Sequence, residues 1–376
     1  MTVHKKVCFV IRELAHGGIE TVTLDLALEL VKKNIDVTIV VLFGSENKYS
    51  IDGRIDLVLL KLDNSWCDLL TRGINKCVPL LGAYVFAVFY SRRLLSIIDG
   101  CDFDNIYLCG LGCYSLLFRC KIKNIVFNCH SMNSVLLKRR SPRLYKISLF
   151  ILSKMLKNKK ILCVSQGIAK DISTICSLPL SSIDVNYNIL NYEEIKKKSA
   201  EKISTIKSDY ILHVGRFTDE KNQIFLLEAY SRIKYKNRPK LIFLGDGILL
   251  NDCKSRAIKL GIEDDVIFIG FVSNPYPFIK NAKFLVLCSK YEGLPTVLLE
   301  AIYLHTYVIS SNCRSGPNEI ITDRRQGLLF ELDEIADFTS LLVEALDKDI
   351  RADIHPGLSR KFDNNLSINY YLKCDD

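Results

Sequence analysis

No two of the fourteen cysteines in this 376-residue chain stand at C-x-x-C spacing. That removes the common zinc and thioredoxin-like frameworks. Several thiols sit inside apolar runs such as Phe284-Leu-Val-Leu-Cys288, where cysteine serves as a small buried hydrophobe in a reducing compartment. No secretory leader is expected, because Lys5, Lys6, Arg12 and Glu13 interrupt the early apolar run. The longest uncharged stretch runs from Cys77 to Ser91, short of the roughly 20 residues that a membrane-spanning helix needs. Internal repeats and low-complexity tracts are missing as well. These absences predict a cytoplasmic protein, either soluble or attached to the inner face of the cytoplasmic membrane.

What is present is a globular composition, 49% hydrophobic and 25% charged, which excludes disorder, collagen and coiled coil. The length suits two domains of average size better than one core. Lys and Arg number 51 against 42 acids, a net charge of +9. That excess calls for an anionic partner such as nucleotide phosphates or a lipid surface.

The chain opens with a strand-like run, Val7-Cys-Phe-Val-Ile11, then a turn at His16-Gly17-Gly18 and a helical period through Val22, Leu24, Leu26, Ala27 and Leu30. A second strand at 37–42 completes a βαβ unit, which implies a parallel sheet with helices on its faces. The alternation continues through 106–109, 125–129 and 161–164, pauses in a lysine-rich stretch between Tyr187 and Lys207, and restarts at Tyr210-Ile-Leu-His-Val-Gly215. Further strands are expected at 240–244, 266–269, 284–288 and 307–310. The organisation predicted is α/β with two doubly wound, Rossmann-like domains facing a central cleft. Residues 1–187 form the first, 188–358 the second, and 359–376 a late helix returning to the first. In open α/β sheets ligands bind at the carboxyl ends of the strands, so the cleft is the expected site.

The most informative segment is Ser289-Lys-Tyr-Glu-Gly-Leu-Pro-Thr-Val-Leu-Leu-Glu-Ala301. Pro295 suits the first helical position, which places Glu292 in the turn and Glu300 about two turns along the helix. The free amides of Thr296 and Val297, with the helix dipole, make an anion site between the two carboxylates. Alone, the pair also fits an amphipathic helix with two solvated glutamates. A second segment, His213-Val-Gly215-Arg216-Phe-Thr-Asp-Glu-Lys221-Asn222, follows a strand and opens a helix. Arg216 supplies a planar fork for phosphate and Lys221 a point charge. Strand-end glycine turns recur at Leu244-Gly-Asp-Gly247 and Gly270-Phe271, followed by Cys313-Arg-Ser-Gly-Pro-Asn-Glu-Ile320 and Gly327-Leu-Leu-Phe330.

This series, in this order, resembles the C-terminal domain of the retaining GT-B glycosyltransferases of family four, whose E-x7-E signature matches Glu292 and Glu300. The resemblance is specific from about Ile211 to Phe330; in the first half only the Gly17-Gly18 turn and the helix after it match well. It implies a nucleotide sugar held mainly by the second domain. Glu300 would bind the ribose hydroxyls, Glu292 the donor sugar, and Arg216 and Lys221 the diphosphate, beside Gly215. Amides around Gly293, Leu294, Pro295 and Thr296 would assist. Gly270 and Phe271 would pack near the base, and Gly17 and Gly18 would face the phosphates from the first domain. His130, in Phe127-Asn-Cys-His-Ser131, stands where the family often places a histidine on the donor sugar; a lone histidine at a strand end also fits a structural role.

The expected reaction is sugar transfer from the nucleotide sugar to a saccharide acceptor, with retention of anomeric configuration. Loss of the nucleoside diphosphate puts charge on phosphate, and fixed cations and helix amides stabilise that charge in the transition state. A D-x-D element of the kind that holds magnesium in other transferases is read as absent, so neither metal nor other cofactor is expected. On the acceptor side, residues 138–160 carry Lys138, Arg139, Arg140, Arg143, Lys146, Lys154, Lys157, Lys159 and Lys160 without one acid, interleaved with apolar residues. Such a stretch fits an anionic membrane, and equally a solvated helix face over a buried stripe. The aromatic-rich segment 66–90 joins the same surface in the first case, pointing to a lipid-linked saccharide acceptor in cell-surface polysaccharide synthesis.

Three rivals share parts of this pattern. A nicotinamide dehydrogenase would want G-x-G-x-x-G after the first strand and an acid ending the second; here the turn reads Ala15-His16-Gly17-Gly18-Ile19, and Val41-Leu42-Phe43 closes the second strand. A nucleotide-sugar epimerase or hydrolase would use the same two-domain fold. A non-enzymatic nucleic-acid binder would need basic residues spread with stacking platforms, and no nucleic-acid partner is expected.

Overall fold

Parallel strands covered on both faces read as unbroken apolar runs, and the inner strands such as Phe284–Leu287 do so, whereas the edge strands at 55–59 and 183–185 each hold an Asp. The computed structural model describes residues 5–14, 17–44, 51–63, 65–98, 100–122, 124–203, 206, 208–234, 238–348, 350–354 and 356–372. His4, His16, His355, Lys207 and Cys374 lie outside them. The chain divides into two compact units, 1–189 with 362–376, and 190–361.

The first unit runs β1 (Lys6–Ile11), α1 (Gly18–Lys32), β2 (Asp36–Val41), β3 (Ile55–Leu59), α2 (Trp66–Cys77), α3 (Leu81–Ile98), β4 (Asn105–Cys109), α4 (Leu111–Leu117), β5 (Ile125–Cys129), α5 (Asn133–Arg140), α6 (Tyr145–Leu156), β6 (Lys160–Cys163), α7 (Gln166–Cys176) and β7 (Ile183–Val185). Its strands pair in parallel in the order β3-β2-β1-β4-β5-β6-β7. The second unit runs α8 (Tyr192–Lys198), β8 (Tyr210–Val214), α9 (Gln223–Ser231), β9 (Lys240–Leu244), α10 (Leu250–Lys259), β10 (Val266–Gly270), α11 (Tyr276–Asn281), β11 (Phe284–Leu287), α12 (Thr296–Tyr303), β12 (Tyr307–Ser311), α13 (Pro317–Ile320), β13 (Gly327–Phe330), α14 (Ile335–Asp347) and α15 (Pro356–Lys361). Its order is β10-β9-β8-β11-β12-β13, again parallel. Both sheets reverse strand order once, between β1 and β4 and between β8 and β11. Such switch points are where doubly wound sheets open a crevice for a ligand.

The late helix expected over 359–374 is instead two, α15 and α16 (Asn364–Leu372), broken at Phe362 and Asp363. Tyr371 of α16 packs edge-on against Phe9 of β1 and Tyr107 of β4, with centroids 6.1 and 4.9 Å apart. All thirteen described cysteines are free thiols and eleven are buried.

Helix α3 is long and apolar enough to cross a membrane by length and composition. The uncharged run ends at Ser91, yet the helix continues through Arg92 and Arg93. One side is buried against α2: a Cβ on Gly82 would lie 2.4 Å from the Thr71 carbonyl oxygen, and Tyr90 donates a hydrogen bond to Thr71 Oγ1 at 3.1 Å. The other side exposes Val85 and Val88.

Candidate active site

The switch point of the second sheet gathers three loops. Residues 215–222 leave β8, 288–295 leave β11 and 312–316 leave β12. The first lies against the loop after β9, where Gly245 has φ +133° and a Cβ would fall 2.2 Å from the Gly215 carbonyl oxygen. Only glycine fits there. Backbone ties continue outward: Gly215 N–H donates to Leu244 O at 3.0 Å, and Gly245 N–H to Gly270 O at 2.8 Å. The expected donor residues Gly215 and Gly270 thus flank the end of β9 from either side, with Phe271 exposed beyond β10.

Arg216 is exposed and Lys221 half-buried on the loop after β8. Gln223, the first residue of α9, fixes this loop from below by donating to Arg216 O at 2.8 Å. The same amide nitrogen lies 3.3 Å from His213 Nε2, and His213 Nδ1 lies 2.9 Å from Val286 O. Burial, and secondarily the Lys221 charge, push His213 down to about 3. It is therefore neutral at ordinary pH, its Nδ1–H donating to Val286 O and its Nε2 accepting from Gln223. Neither Gln223 nor His213 stood out in the sequence, because the network joins three separate segments.

Glu292 and Lys221 meet at 2.6 Å, with side chains 11% and 19% exposed. A second pair, Lys290 with Asp219 at 2.6 Å, links the same two loops further out, and Lys290 N–H donates to Glu220 O at 2.8 Å. The turn at Gly293, Leu294 and Pro295 leans on the loop after β12: Ser315 Oγ donates to Gly293 O at 2.8 Å. A Cβ on Gly316 (φ +91°) would strike Pro295 Cδ at 2.4 Å. Ser315 and Gly316 lie in the Cys313–Ile320 motif, but nothing in their spacing tells which turn they brace.

Pro295 is the N-cap of α12 rather than its first helical residue, since its ψ of 92° is extended. The helix begins at Thr296, and its first hydrogen bond runs from Leu298 N–H to Pro295 O at 3.0 Å. The amides of Thr296 and Val297 therefore stand outside the helical ladder and mark the positive end of its dipole. Glu300 follows one turn on, half-buried on α12. From β10 across β9 and β8 to β11 is three strand spacings, roughly 14 Å, a width that suits an extended nucleotide ligand rather than a single phosphate.

The first unit presents a different surface. Gly17 caps α1 and Gly18 begins it. His130 follows β5, and burial pushes it down to about 4. Its Nε2 and Asn128 Oδ1 have no hydrogen-bond partner among the described residues. Both line a cavity of about 10 Å³ with Phe9, Thr23, Cys109 and Tyr371, room for about one water. Asn128 was not singled out in the sequence, since an asparagine within a strand carries no functional signal.

Among the described residues no group of three or more His, Cys, Asp or Glu is placed to hold a metal ion. The expected absence of D-x-D needs correcting, because the spacing occurs at Asp102–Asp104 and Asp347–Asp349. The first precedes β4, at the amino end of the sheet, where Asp104 Oδ2 accepts from Lys6 N–H at 2.7 Å.

Two family models match consecutive stretches of the chain: Glycosyltransferase Family 4 over residues 16–194 and Glycosyl transferases group 1 over 194–364. The chain is 29% identical over 238 residues to a Campylobacter jejuni N-acetylgalactosamine-N,N'-diacetylbacillosaminyl-diphospho-undecaprenol 4-alpha-N-acetylgalactosaminyltransferase, covering 62% of this chain and 64% of that one. It is 31% identical over 209 residues to the Salmonella typhimurium lipopolysaccharide 1,6-galactosyltransferase, covering 54% and 56%. The matches thus span less than two thirds of either relative. Among solved structures, a glycosyltransferase from Rickettsia africae superposes with a TM-score of 0.73 at 17% identity, covering 98% of this chain and 97% of that one. Anabaena HepE, solved in complex with UDP and glucose, superposes at 0.71 and 16%, covering 98% of each. At these identities the structures establish likeness of fold.

Proposed function

The chain belongs to family four of the GT-B glycosyltransferases, and from that premise we propose that it moves a hexose-type sugar from a nucleotide-sugar donor to a saccharide acceptor, with retention of anomeric configuration. The observation that carries this reading is the meeting of Lys221 and Glu292 at the second sheet's switch point, beside the free amides of α12. Lys221 and Arg216 hold the diphosphate, Glu292 the donor sugar and Glu300 the ribose. Gly270 and Phe271 flank the base. In the first unit, Gly17 and Gly18 serve the phosphates and His130 the sugar.

Charge that develops on the leaving diphosphate is met by Lys221, Arg216 and the amides of Thr296 and Val297, of which the amides are fixed before the reaction. No metal is assigned to this step. Glu292 orients the sugar and forms no covalent intermediate. Incubation with a panel of nucleotide sugars and acceptors tests the reading. Transfer with retained configuration supports it, whereas epimerised donor, or donor hydrolysed as fast without acceptor as with it, would replace transfer by epimerisation or hydrolysis. A glycosyl adduct on Glu292 in the mass spectrum would replace the mechanism.

The acceptor is lipid-linked, and the protein docks on an anionic membrane. Residues 105–170 contain thirteen Lys and Arg and no Asp or Glu, a longer acid-free span than 138–160. Helices α2, α3 and α6 expose Trp66, Leu69, Leu70, Val85, Ile147 and Phe150, and Lys154 lies 5.3 Å from the Phe150 ring. Exposed apolar side chains on a chain segment rich in cations suit the interface of an anionic bilayer. The relatives' names support the acceptor class: one acts on a diphospho-undecaprenol-linked sugar and another on lipopolysaccharide.

A further inference from the structure

Lys221 and Glu292 are assigned above to different parts of the donor, yet they hold each other at 2.6 Å. Each must leave the other for the donor to bind. The loops that carry them do not depend on this pair. Lys290 joins Asp219 at 2.6 Å, and its N–H joins Glu220 O at 2.8 Å, on the solvent side of the same two loops. Ser315 holds the Glu292 turn from a third strand end at 2.8 Å. The inner pair can open while the outer ties keep the site assembled.

An intact nucleotide sugar supplies a new partner to both residues: phosphate oxygens to the Lys221 ammonium and sugar hydroxyls to the Glu292 carboxylate. The nucleoside diphosphate left after transfer supplies only the first. Glu292, without sugar hydroxyls, then competes for Lys221 from a mostly dry position where a charge needs a partner. We propose that the Lys221–Glu292 pair discriminates donor from product, opening readily for the sugar diphosphate and closing against the bare diphosphate so that product leaves. This rests on the donor reading of the site given above.

Inorganic pyrophosphate serves as the probe, titrated calorimetrically into the full-length chain and into Glu292→Gln, Lys221→Ala and the double variant. Glu292→Gln keeps the side-chain shape and removes the competing charge, and should bind pyrophosphate roughly fivefold more tightly. Lys221→Ala should bind it more weakly by about tenfold. In the Lys221→Ala background the Glu292→Gln gain should vanish. Equal gains in both backgrounds would assign the effect to plain repulsion and overturn the discriminator, as would the absence of any gain. Pyrophosphate affinity unchanged by Lys221→Ala would remove the anion site itself, and the discriminator with it. Lys290→Ala serves as the structural control: it should lower the melting temperature without tightening pyrophosphate. Tightening equal to that of Glu292→Gln would mean that loosened loops, not a freed lysine, account for the gain.

Discussion

At the end of β8 Lys221 is paired with Glu292 at 2.6 Å, whereas at the end of β5 His130 Nε2 and Asn128 Oδ1 lack a partner among the described residues. Both positions are strand ends of doubly wound parallel sheets. The second unit surrounds its switch point with ties between three loops, so the loops that carry its charged groups are held before a ligand arrives. The first unit leaves two buried polar atoms unpartnered beside a small cavity and places apolar and basic side chains on outward helix faces. A diphosphate has constant chemistry and rewards a fixed cradle. Variable sugars and a fluid lipid surface reward exposed, adaptable groups.

The largest expected effect tests which unit carries the chemistry. Lys221→Ala should lower kcat/KM for sugar transfer by about 10²–10³, the usual loss when one fixed donor to developing charge is removed. His130→Ala should cost about tenfold, by removing one sugar contact. Equal losses would break the comparison, because the first unit would then hold a group that matters to the transition state as much as Lys221 does.

Glycine substitutions probe the scaffolds in the same way. Alanine at 245 combines a φ of +133° with a Cβ 2.2 Å from backbone oxygen, and should destabilise the protein by about 3–4 kcal/mol in urea unfolding. Gly110, at the first switch point, has φ +80°, and its Cβ would meet only the movable Ile19 Cδ1 at 3.0 Å. Alanine there should cost about 1–2 kcal/mol. A reversed order would mean that the first switch point is the more rigid one.

The βαβ rhythm, the inner strands of both sheets and the E-x7-E segment were legible because each lies within a short stretch of chain with one period. β3, β7 and β13 were not read as strands; the last entered only as the motif Gly327-Leu-Leu-Phe330. β3 is an edge strand with a charged residue inside it, Ile-Asp-Leu-Val-Leu, and β7 has only three residues. The break at Phe362–Asp363 was invisible to periodicity, since the apolar residues continue on either side. The pairing of Lys221 with Glu292 spans 71 positions, and the His213–Gln223–Val286 network spans three segments. Sequence shows such residues one at a time, and only the sheet's strand order brings them together.

Acid should weaken both units through their buried histidines. His213 is pushed down to about 3 and His130 to about 4, against an ordinary value near 6.5. The unfolded chain therefore binds protons that the folded chain refuses as pH falls below about 6.5. Stability is full above that value and is lost progressively toward the folded values, by about 1–2 kcal/mol per histidine at pH 5. Urea midpoints from pH 7.5 to 5 should show this slope. His130→Gln should remove part of it while leaving the second unit's share, and an unchanged slope would mean that His130 accepts a proton in the folded state.

The smallest effect separates the outer surfaces. The second unit also exposes apolar residues, Ile248 at 84% and Ile258 at 62%, but neighbouring α10 carries Asp252 as well as Arg256 and Lys259. In the first unit Phe150 is 63% exposed on α6, inside the acid-free span, whereas Trp66, 65% exposed, opens α2, which like α10 carries an acid, Asp68. Hydrophobicity alone would make α6 and α10 equivalent; charge makes them different. Binding to vesicles containing phosphatidylglycerol should fall about fivefold for Trp66→Asp or Phe150→Asp, and should weaken with salt as screened cations release the surface. Ile248→Asp should leave it unchanged. Equal losses from all three would reduce the membrane surface to general stickiness, and salt-independent binding would remove the role of the thirteen cations.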